Sequence, residues 1–197
     1  MKKKVQSNGS SKIRSPFHEY LKYADEHPHE FNEEMKLLFK RQKKMLKMFD
    51  FVAERGKKCC DWIEKYCVLT EGQNAGEPVK LLLWQKWLYY SILCFYGNIE
   101  AETFDVDGKY VGKKTKYSRI VNDVLVVIAT GNSKTTTLGF FNAYVMFNPS
   151  EFPSAKIFIG SNSYKQSKRC FDTTKKIIAA NKMDLPNSKK NLEEFKK

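Results

Sequence analysis

The nine residues from Ile128 to Thr136 are the part of the sequence best suited to chemistry. They read Ile-Ala-Thr-Gly-Asn-Ser-Lys-Thr-Thr, and a helix-forming stretch follows them. Backbone N–H groups at the start of a helix bind anions, a lysine adds positive charge for a phosphate, and a threonine hydroxyl coordinates Mg²⁺. Aligned on Lys134 and Thr135, the phosphate-loop pattern G-x-x-x-x-G-K-[ST] has its two glycines at Ile128 and Ser133. The sequence therefore predicts a phosphate site with two substitutions, and a plain strand-to-helix turn is the alternative.

The alignment gives each loop residue an expected role. Lys134 is predicted to contact the β- and γ-phosphates as the catalytic cation, and Thr135 to coordinate Mg²⁺. If Ser133 needs a positive φ, which glycine adopts without penalty, a serine costs about 1–2 kcal/mol and its Cβ crowds the phosphates. The residues predicted to bind the nucleotide in this loop are Thr130, Gly131, Asn132, Ser133, Lys134, Thr135 and Thr136.

Such a loop needs a strand before it and a helix after it. Residues 119–129 contain Val-Leu-Val-Val-Ile, the continuous β-branched run expected of a strand buried on both faces of a parallel sheet. Residues 134–147 carry apolar side chains for a helix, residues 156–160 repeat the buried-strand pattern, and residues 163–180 predict a basic helix. This order predicts an α/β fold with a right-handed crossover.

The first half of the chain predicts helices and one hairpin. Apolar residues recur at helical spacing from residue 32 to about residue 55, and a shorter helical pattern spans residues 62–69. Residues 81–96 are apolar on nearly all sides, as in a helix buried against a sheet, and Gly97 is expected to end it. The Asp-Gly pair at 107–108 predicts a β-hairpin, which we favour over a calcium loop because no bidentate glutamate follows.

Composition and charge predict one domain with an anionic partner. The chain has 197 residues, of which 42% are hydrophobic, and a net charge of +13. This charge attracts polyanions, so nucleic acid is the first candidate partner, and a lysine-rich composition that keeps the protein soluble is the alternative. The five cysteines show no metal-ligand spacing with the three histidines and are expected to be reduced thiols. No export signal or membrane-spanning segment is predicted.

Four motifs occur along the chain in an order that points to a known family. They are the N-terminal helical region, the segment 81–97 with its Trp84-Gln85 pair, the strand and loop at 124–136, and the segment 157–166, Ile-Phe-Ile-Gly-Ser-Asn-Ser-Tyr-Lys-Gln. With this set, the chain resembles the N-terminal part of the large terminase subunit of tailed bacteriophages, the motor that packages DNA into empty capsids. The resemblance covers most of residues 20–180.

The resemblance implies a site for ATP and Mg²⁺. Gln85 matches the family's glutamine that recognises adenine, and a side-chain amide has the donor and acceptor that such recognition needs. A polar residue that is exposed or caps the start of the helix is the alternative. Gln166 matches a residue that couples the nucleotide state to DNA, and a serine-capped helix start is the alternative. The family's loop commonly reads Arg-x-x-Gly-Lys-[Ser/Thr], so Ile128 fits it. Thr130 and Ser133 replace its arginine and its glycine.

The fold implied by the resemblance is α/β, an incomplete P-loop NTPase sheet with an N-terminal helical region. The predicted organisation is a mobile basic tail at 1–16, a helical region at 17–80, a partial ATPase core at 81–180 and a lysine-rich tail at 181–197. No apolar strand that ends in acidic residues follows the loop, so the carboxylates of an ATPase are missing. In the family topology, the strand that carries the acidic residues lies between the strand near residue 124 and the strand near residue 157. Without it, these two strands are expected to have unpaired edges.

The function that follows is a truncated terminase large subunit that binds nucleotide weakly and lacks ATPase activity by itself. The expected partners are double-stranded DNA, the remaining part of the large subunit, the small subunit and the portal, without a membrane, in the host cytoplasm. The alternative is a non-enzymatic basic DNA-binding or assembly protein whose loop is vestigial. A helicase-type ATPase of the same broad class ranks third.

Overall fold

The computed structural model describes residues 15–129, 131 and 133–180. Of the two predicted tails, only Ser15 and Pro16 lie within this set. Two of the predicted loop residues, Thr130 and Asn132, lie outside it. The described residues form a mixed α/β structure. Its helices are α1 (Pro16–Glu26), α2 (Glu33–Met48), α3 (Ala53–Tyr66), α4 (Leu83–Leu93), α5 (Lys134–Phe147) and α6 (Tyr164–Ala180), and a short 3-10 helix spans Pro28–Glu30. Its strands are β1 (Asp50–Phe51), β2 (Phe95–Phe104) and β3 (Tyr110–Arg119).

Helices α1, α3 and α4 pack around an aromatic core. The Phe17 ring of α1 is fully buried and lies 4.8 Å from the Phe51 ring and 5.5 Å from the Phe95 ring, measured between centroids. Gly56 lets α3 approach α4 closely, because a Cβ at this position would lie 2.5 Å from the Tyr90 ring. The core therefore fixes α4, the helix that carries Gln85.

The single helix predicted for residues 32–55 is wrong, because the chain forms two helices there. Asn32 begins α2, with its side-chain oxygen accepting the Met35 N–H at 3.0 Å, as expected of a helix cap. After α2 the chain extends into β1, which pairs with the start of β2. Helix α3 then begins at Ala53. The break between the helices holds no glycine or proline, so apolar spacing alone runs through it.

The three strands form one antiparallel sheet in the order β1-β2-β3. The predicted hairpin is confirmed: β2 and β3 pair along their length, and the Asp105 carboxylate accepts the N–H groups of Asp107 at 3.0 Å and Lys109 at 2.8 Å. Gly97 lies inside β2 and does not end α4, so that prediction is wrong. Its missing side chain leaves room for Phe49, whose ring carbon would lie 3.1 Å from a Cβ there.

The parallel sheet expected around the loop is not present among the described residues. The sequence predicts buried strands at 119–129 and 156–160, but residues 120–129 and 156–160 carry no strand in the structure. Several of their apolar side chains face outward, with Leu125 90%, Val127 85% and Phe158 88% exposed, while Ile128, Ile157 and Ile159 are half-buried. A strand forms only where a neighbouring backbone completes its hydrogen bonds, and the described sheet is antiparallel and ends at Arg119. The prediction that these segments are buried on both faces is therefore wrong for this structure.

The two helices predicted after the loop are confirmed and pack against each other. Gly139 in α5 permits the contact, since a Cβ there would lie 2.6 Å from Cδ1 of Ile177 in α6. A buried hydrogen bond adds to it, with Asn142 Nδ2 donating to Thr174 Oγ1 at 3.2 Å. Among the described residues, no helix combines the length and apolar character required to cross a lipid bilayer.

Candidate nucleotide site

The loop before α5 turns through two residues with positive φ. Gly131 has φ 90°, and Ser133 has φ 52° with ψ 24° as the residue that begins the helix. The Ser133 carbonyl accepts the Thr137 N–H at 2.8 Å, which starts the hydrogen-bond ladder of α5. The left-handed geometry anticipated at Ser133 is therefore present, and the serine holds it at a cost of about 1 kcal/mol or more.

Lys134 reaches back across the loop. Its Nζ donates a hydrogen bond to the carbonyl of Ile128, the first residue of the phosphate-loop alignment. Because of this bond, the ammonium group lies between the two ends of the loop. Lys134 is exposed, so the remaining hydrogens of the ammonium group are available to a ligand. Thr135 and Thr136 follow in the first turn of α5, where both are half-buried.

Gln85 lies against the first turns of α5. It is buried, with 6% exposure, and its Nε2 donates to Thr137 Oγ1 at 2.8 Å. Its Oε1 accepts the Leu82 N–H at 2.8 Å, the backward contact by which a glutamine at the third helical position caps a helix. The structure therefore brings Gln85, the residue predicted to recognise adenine, into contact with Thr137, which lies one helical turn after Lys134 in α5.

The amide of Gln85 has hydrogen-bonding capacity beyond these two contacts. A side-chain amide has two N–H donors and two acceptor lone pairs, and each of its ends makes one hydrogen bond here. A second contact ties the same elements together, since the buried Tyr89 hydroxyl donates to the Thr137 carbonyl at 2.8 Å. Gln85 is thus a structural tether in this structure and retains one donor and one acceptor position.

Sequence reasoning missed the part that Thr137 and Tyr89 play in the site. Thr137 is the buried acceptor for Gln85 and the backbone partner of Tyr89. The available signal was the spacing of Gln85 and Tyr89, four residues apart and therefore on one face of α4. Nothing in the sequence showed that this face meets α5.

Two cavities flank the segment that leads into the loop. One, of about 560 Å³, is lined by Lys134, Thr135 and Thr137 together with apolar residues of segment 121–128 and α5. The other, of about 1060 Å³, is lined by Gly131 and Ser133 and by aromatic residues that include Trp84. Ligand sites in proteins commonly span about 300–1,000 Å³, so each is large enough for a nucleotide. The Lys-Thr pair faces the smaller cavity.

Gln166 lies in the first turn of α6, exposed to solvent. Its backbone N–H donates to the Ser163 carbonyl at 3.1 Å, as at an ordinary helix start. Gln166 does not line either cavity beside the loop, but Cys170, four residues later on the same helix face, lines the smaller one. The predicted coupling residue is therefore one helical turn away from the candidate site.

Burial disfavours the ionised form of the cysteine side chains. None of the five forms a disulfide, and burial raises the pKa of the Cys60, Cys67 and Cys94 thiols to about 12. Thiols with such pKa values stay protonated at neutral pH, and the protonated form neither attacks nor binds metals. Within the described part of the chain, no three His, Cys, Asp or Glu side chains come together as a metal cage. The hydroxyl of Thr135 is the group predicted to coordinate a Mg²⁺ ion that ATP phosphates would share, and it lines the same cavity as Lys134.

The geometry thus combines a left-handed loop at a helix start, a lysine and a threonine beside a cavity, and a buried glutamine that bonds the same helix. Comparison of the chain with protein-family models, curated proteins and solved structures finds no match in any of the three.

Proposed function

We propose that this chain is the nucleotide-binding part of an ATP-driven motor that packages DNA, related to the large terminase subunit of tailed bacteriophages. In this proposal the loop from Thr130 to Thr136 holds the phosphates of Mg-ATP, with Lys134 on the β- and γ-phosphates and Thr135 on Mg²⁺. Gln85 reads the adenine. The chain acts in the host cytoplasm.

The observation that carries this proposal is the contact between Gln85 and Thr137. Gln85, which the resemblance assigns to adenine, is joined by a buried hydrogen bond of 2.8 Å to Thr137, the residue that follows the predicted phosphate loop. A plain strand-to-helix turn requires no such contact. Lys134 and Thr135 line the smaller cavity of nucleotide size and Trp84, next to Gln85, lines the larger one, whereas Gln85 itself lines neither.

We further propose that ATP hydrolysis needs a strand from another segment of polypeptide. The apolar segments 121–129 and 156–160 have no backbone partner among the described residues and expose Leu125, Val127 and Phe158. A strand between them would cover these side chains and, if it ended in acidic residues, would supply the carboxylates that hold Mg²⁺ and orient water. The chain alone then binds ATP weakly and turns it over at a negligible rate.

Thermal unfolding with and without Mg-ATP tests the nucleotide site. We expect saturating Mg-ATP to raise the melting temperature of the wild-type chain, because a ligand that binds only the folded state stabilises it. Lys134→Ala should abolish the increase. Lys114→Ala, at an exposed lysine of the hairpin, removes the same charge away from the loop and should retain the increase.

Each of these two proposals, nucleotide binding and the need for a further strand, has one result that would overturn it. The first is a wild-type melting temperature that does not respond to Mg-ATP, which would favour a basic DNA-binding or assembly protein whose loop is vestigial. The second is robust Lys134-dependent ATP turnover by the purified chain, which would show that no further strand is needed for hydrolysis.

A further inference from the structure

Helix α2 presents a row of three lysines to solvent. Lys40, Lys44 and Lys47 are spaced i, i+4 and i+7, so they lie on one face of the helix, and all three are exposed. The row extends roughly 10 Å along the helix axis at a rise of about 1.5 Å per residue. We call these three residues the α2 lysine stripe.

The stripe differs from the neighbouring lysines of α2 in lacking counter-charges. Lys36 pairs with Glu33 at 2.7 Å, and Lys43 pairs with Asp25 at 2.5 Å. In the described part of the chain, none of the three stripe lysines is within ion-pair distance of a carboxylate. The positive charge on this face is therefore not neutralised within the structure.

The opposite face of α2 is fixed to the core, which sets the direction of the stripe. Phe39 and Gln42 are buried, and Gln42 bonds α4 through two side-chain contacts. Its Oε1 accepts the Trp87 indole N–H at 3.0 Å, and its Nε2 donates to Ser91 Oγ at 3.0 Å. Buried polar groups with satisfied hydrogen bonds fix the orientation of α2 against the core, so the three lysines stay on its solvent-facing side.

We propose that the α2 lysine stripe binds the phosphate backbone of double-stranded DNA. Successive phosphates of one strand are about 3.4 Å apart along the duplex axis, so a stripe of roughly 10 Å spans about three of them, one for each lysine. Lysine acts as a point charge on phosphate and reads no base, as a motor that moves along any sequence requires. The choice of DNA as the partner rests on the proposed function. The choice of the α2 lysine stripe as the binding site rests on its unpaired charges.

Salt-dependent binding of a short random-sequence DNA duplex tests the stripe. The variant Lys40→Gln, Lys44→Gln, Lys47→Gln should bind the duplex more weakly at low salt than the wild type. It should also reduce the slope of log affinity against log salt by about 2 to 3, at roughly 0.9 for each phosphate that a lysine no longer neutralises.

A matched control removes the same charge from the hairpin. Lys109, Lys114 and Lys116 are exposed there, and their replacement by Gln also lowers the net charge by three. We expect the hairpin variant to keep the wild-type slope. Equal losses of duplex affinity and salt slope in both variants would show that net charge alone attracts DNA, and would overturn the stripe proposal. The absence of duplex binding by the wild type at low salt would also overturn it.

Two further measurements distinguish duplex binding by the stripe from membrane binding and from nucleotide binding. Leu37 and Met48 are exposed beside the lysines, so binding to vesicles of phosphatidylcholine and phosphatidylserine is measured in parallel. Loss of vesicle binding with unchanged duplex binding in the α2 variant would identify a membrane surface and overturn the proposal. The increase in melting temperature with Mg-ATP is measured on the same variants. If the increase is retained and the α2 variant keeps the wild-type salt slope, only the stripe proposal fails. If the increase is absent and the salt slope of the α2 variant falls, only the nucleotide proposal fails.

Discussion

At the scale of single residues, Ser133 is the point at which the loop departs most from a phosphate loop. Its φ of 52° lies in the left-handed region, which glycine occupies without the clash that a Cβ causes. The residue therefore destabilises the loop and places a side chain beside the predicted phosphate position. A second serine, Ser154, has φ 55° in the turn after α5 and provides an internal comparison.

Ser133→Gly should stabilise the folded chain and strengthen nucleotide binding. Glycine relieves the strain of the left-handed conformation, but it also gives the unfolded chain more conformational entropy, which offsets part of the stabilisation. The net gain in the free energy of unfolding is about 1 kcal/mol. Ser154→Gly should give a similar gain without changing the affinity for Mg-ATP. Chemical denaturation and calorimetry measure the two quantities. Equal effects of both variants on Mg-ATP affinity would show that Ser133 does not adjoin the phosphates.

At the scale of elements, the local signals in the sequence were the reliable ones. The hairpin follows from Asp-Gly, and α5 and α6 follow from apolar spacing, since each depends on residues within a few positions. The strands predicted at 119–129 and 156–160 failed because strand formation depends on a partner that the local sequence does not contain. In the site, the start of α5 at Lys134 and the positive φ of Ser133 were predictable from the order of residues. The tether of Gln85 to Thr137 was not, because it joins helices that are distant in sequence.

The packing of α5 against α6 gives a prediction at this scale. Gly139→Ala should destabilise the chain by about 1–3 kcal/mol, because its Cβ would lie 2.6 Å from Ile177 Cδ1 in a filled core. Ile177→Val removes that carbon, so the double variant should regain much of the loss. Gly160→Ala, where nothing lies within 4 Å, is the control for adding a methyl group. Additive losses in the double variant, measured by denaturation, would contradict the close contact.

At the scale of the whole molecule, the described residues form a helical body whose α4 supports both the antiparallel hairpin and the nucleotide loop. Next to the loop, the apolar segments 121–129 and 156–160 remain without backbone partners among those residues. The proposed motor therefore places ATP binding on this chain and the carboxylates on another segment of polypeptide. The proposal gives the contact with DNA to the α2 lysine stripe.

The central claim is that Gln85 and Lys134 bind one adenine nucleotide, and calorimetric titration with Mg-ATP and Mg-GTP tests it most directly. The account predicts tighter binding of ATP than of GTP by the wild-type chain, because guanine presents an oxygen where adenine presents an amino group. Gln85→Ala should remove this preference and Lys134→Ala should remove binding of both nucleotides, with unfolding curves confirming that each variant folds. Equal affinity of the wild type for the two nucleotides, or an ATP preference that survives in Gln85→Ala, would contradict the claim.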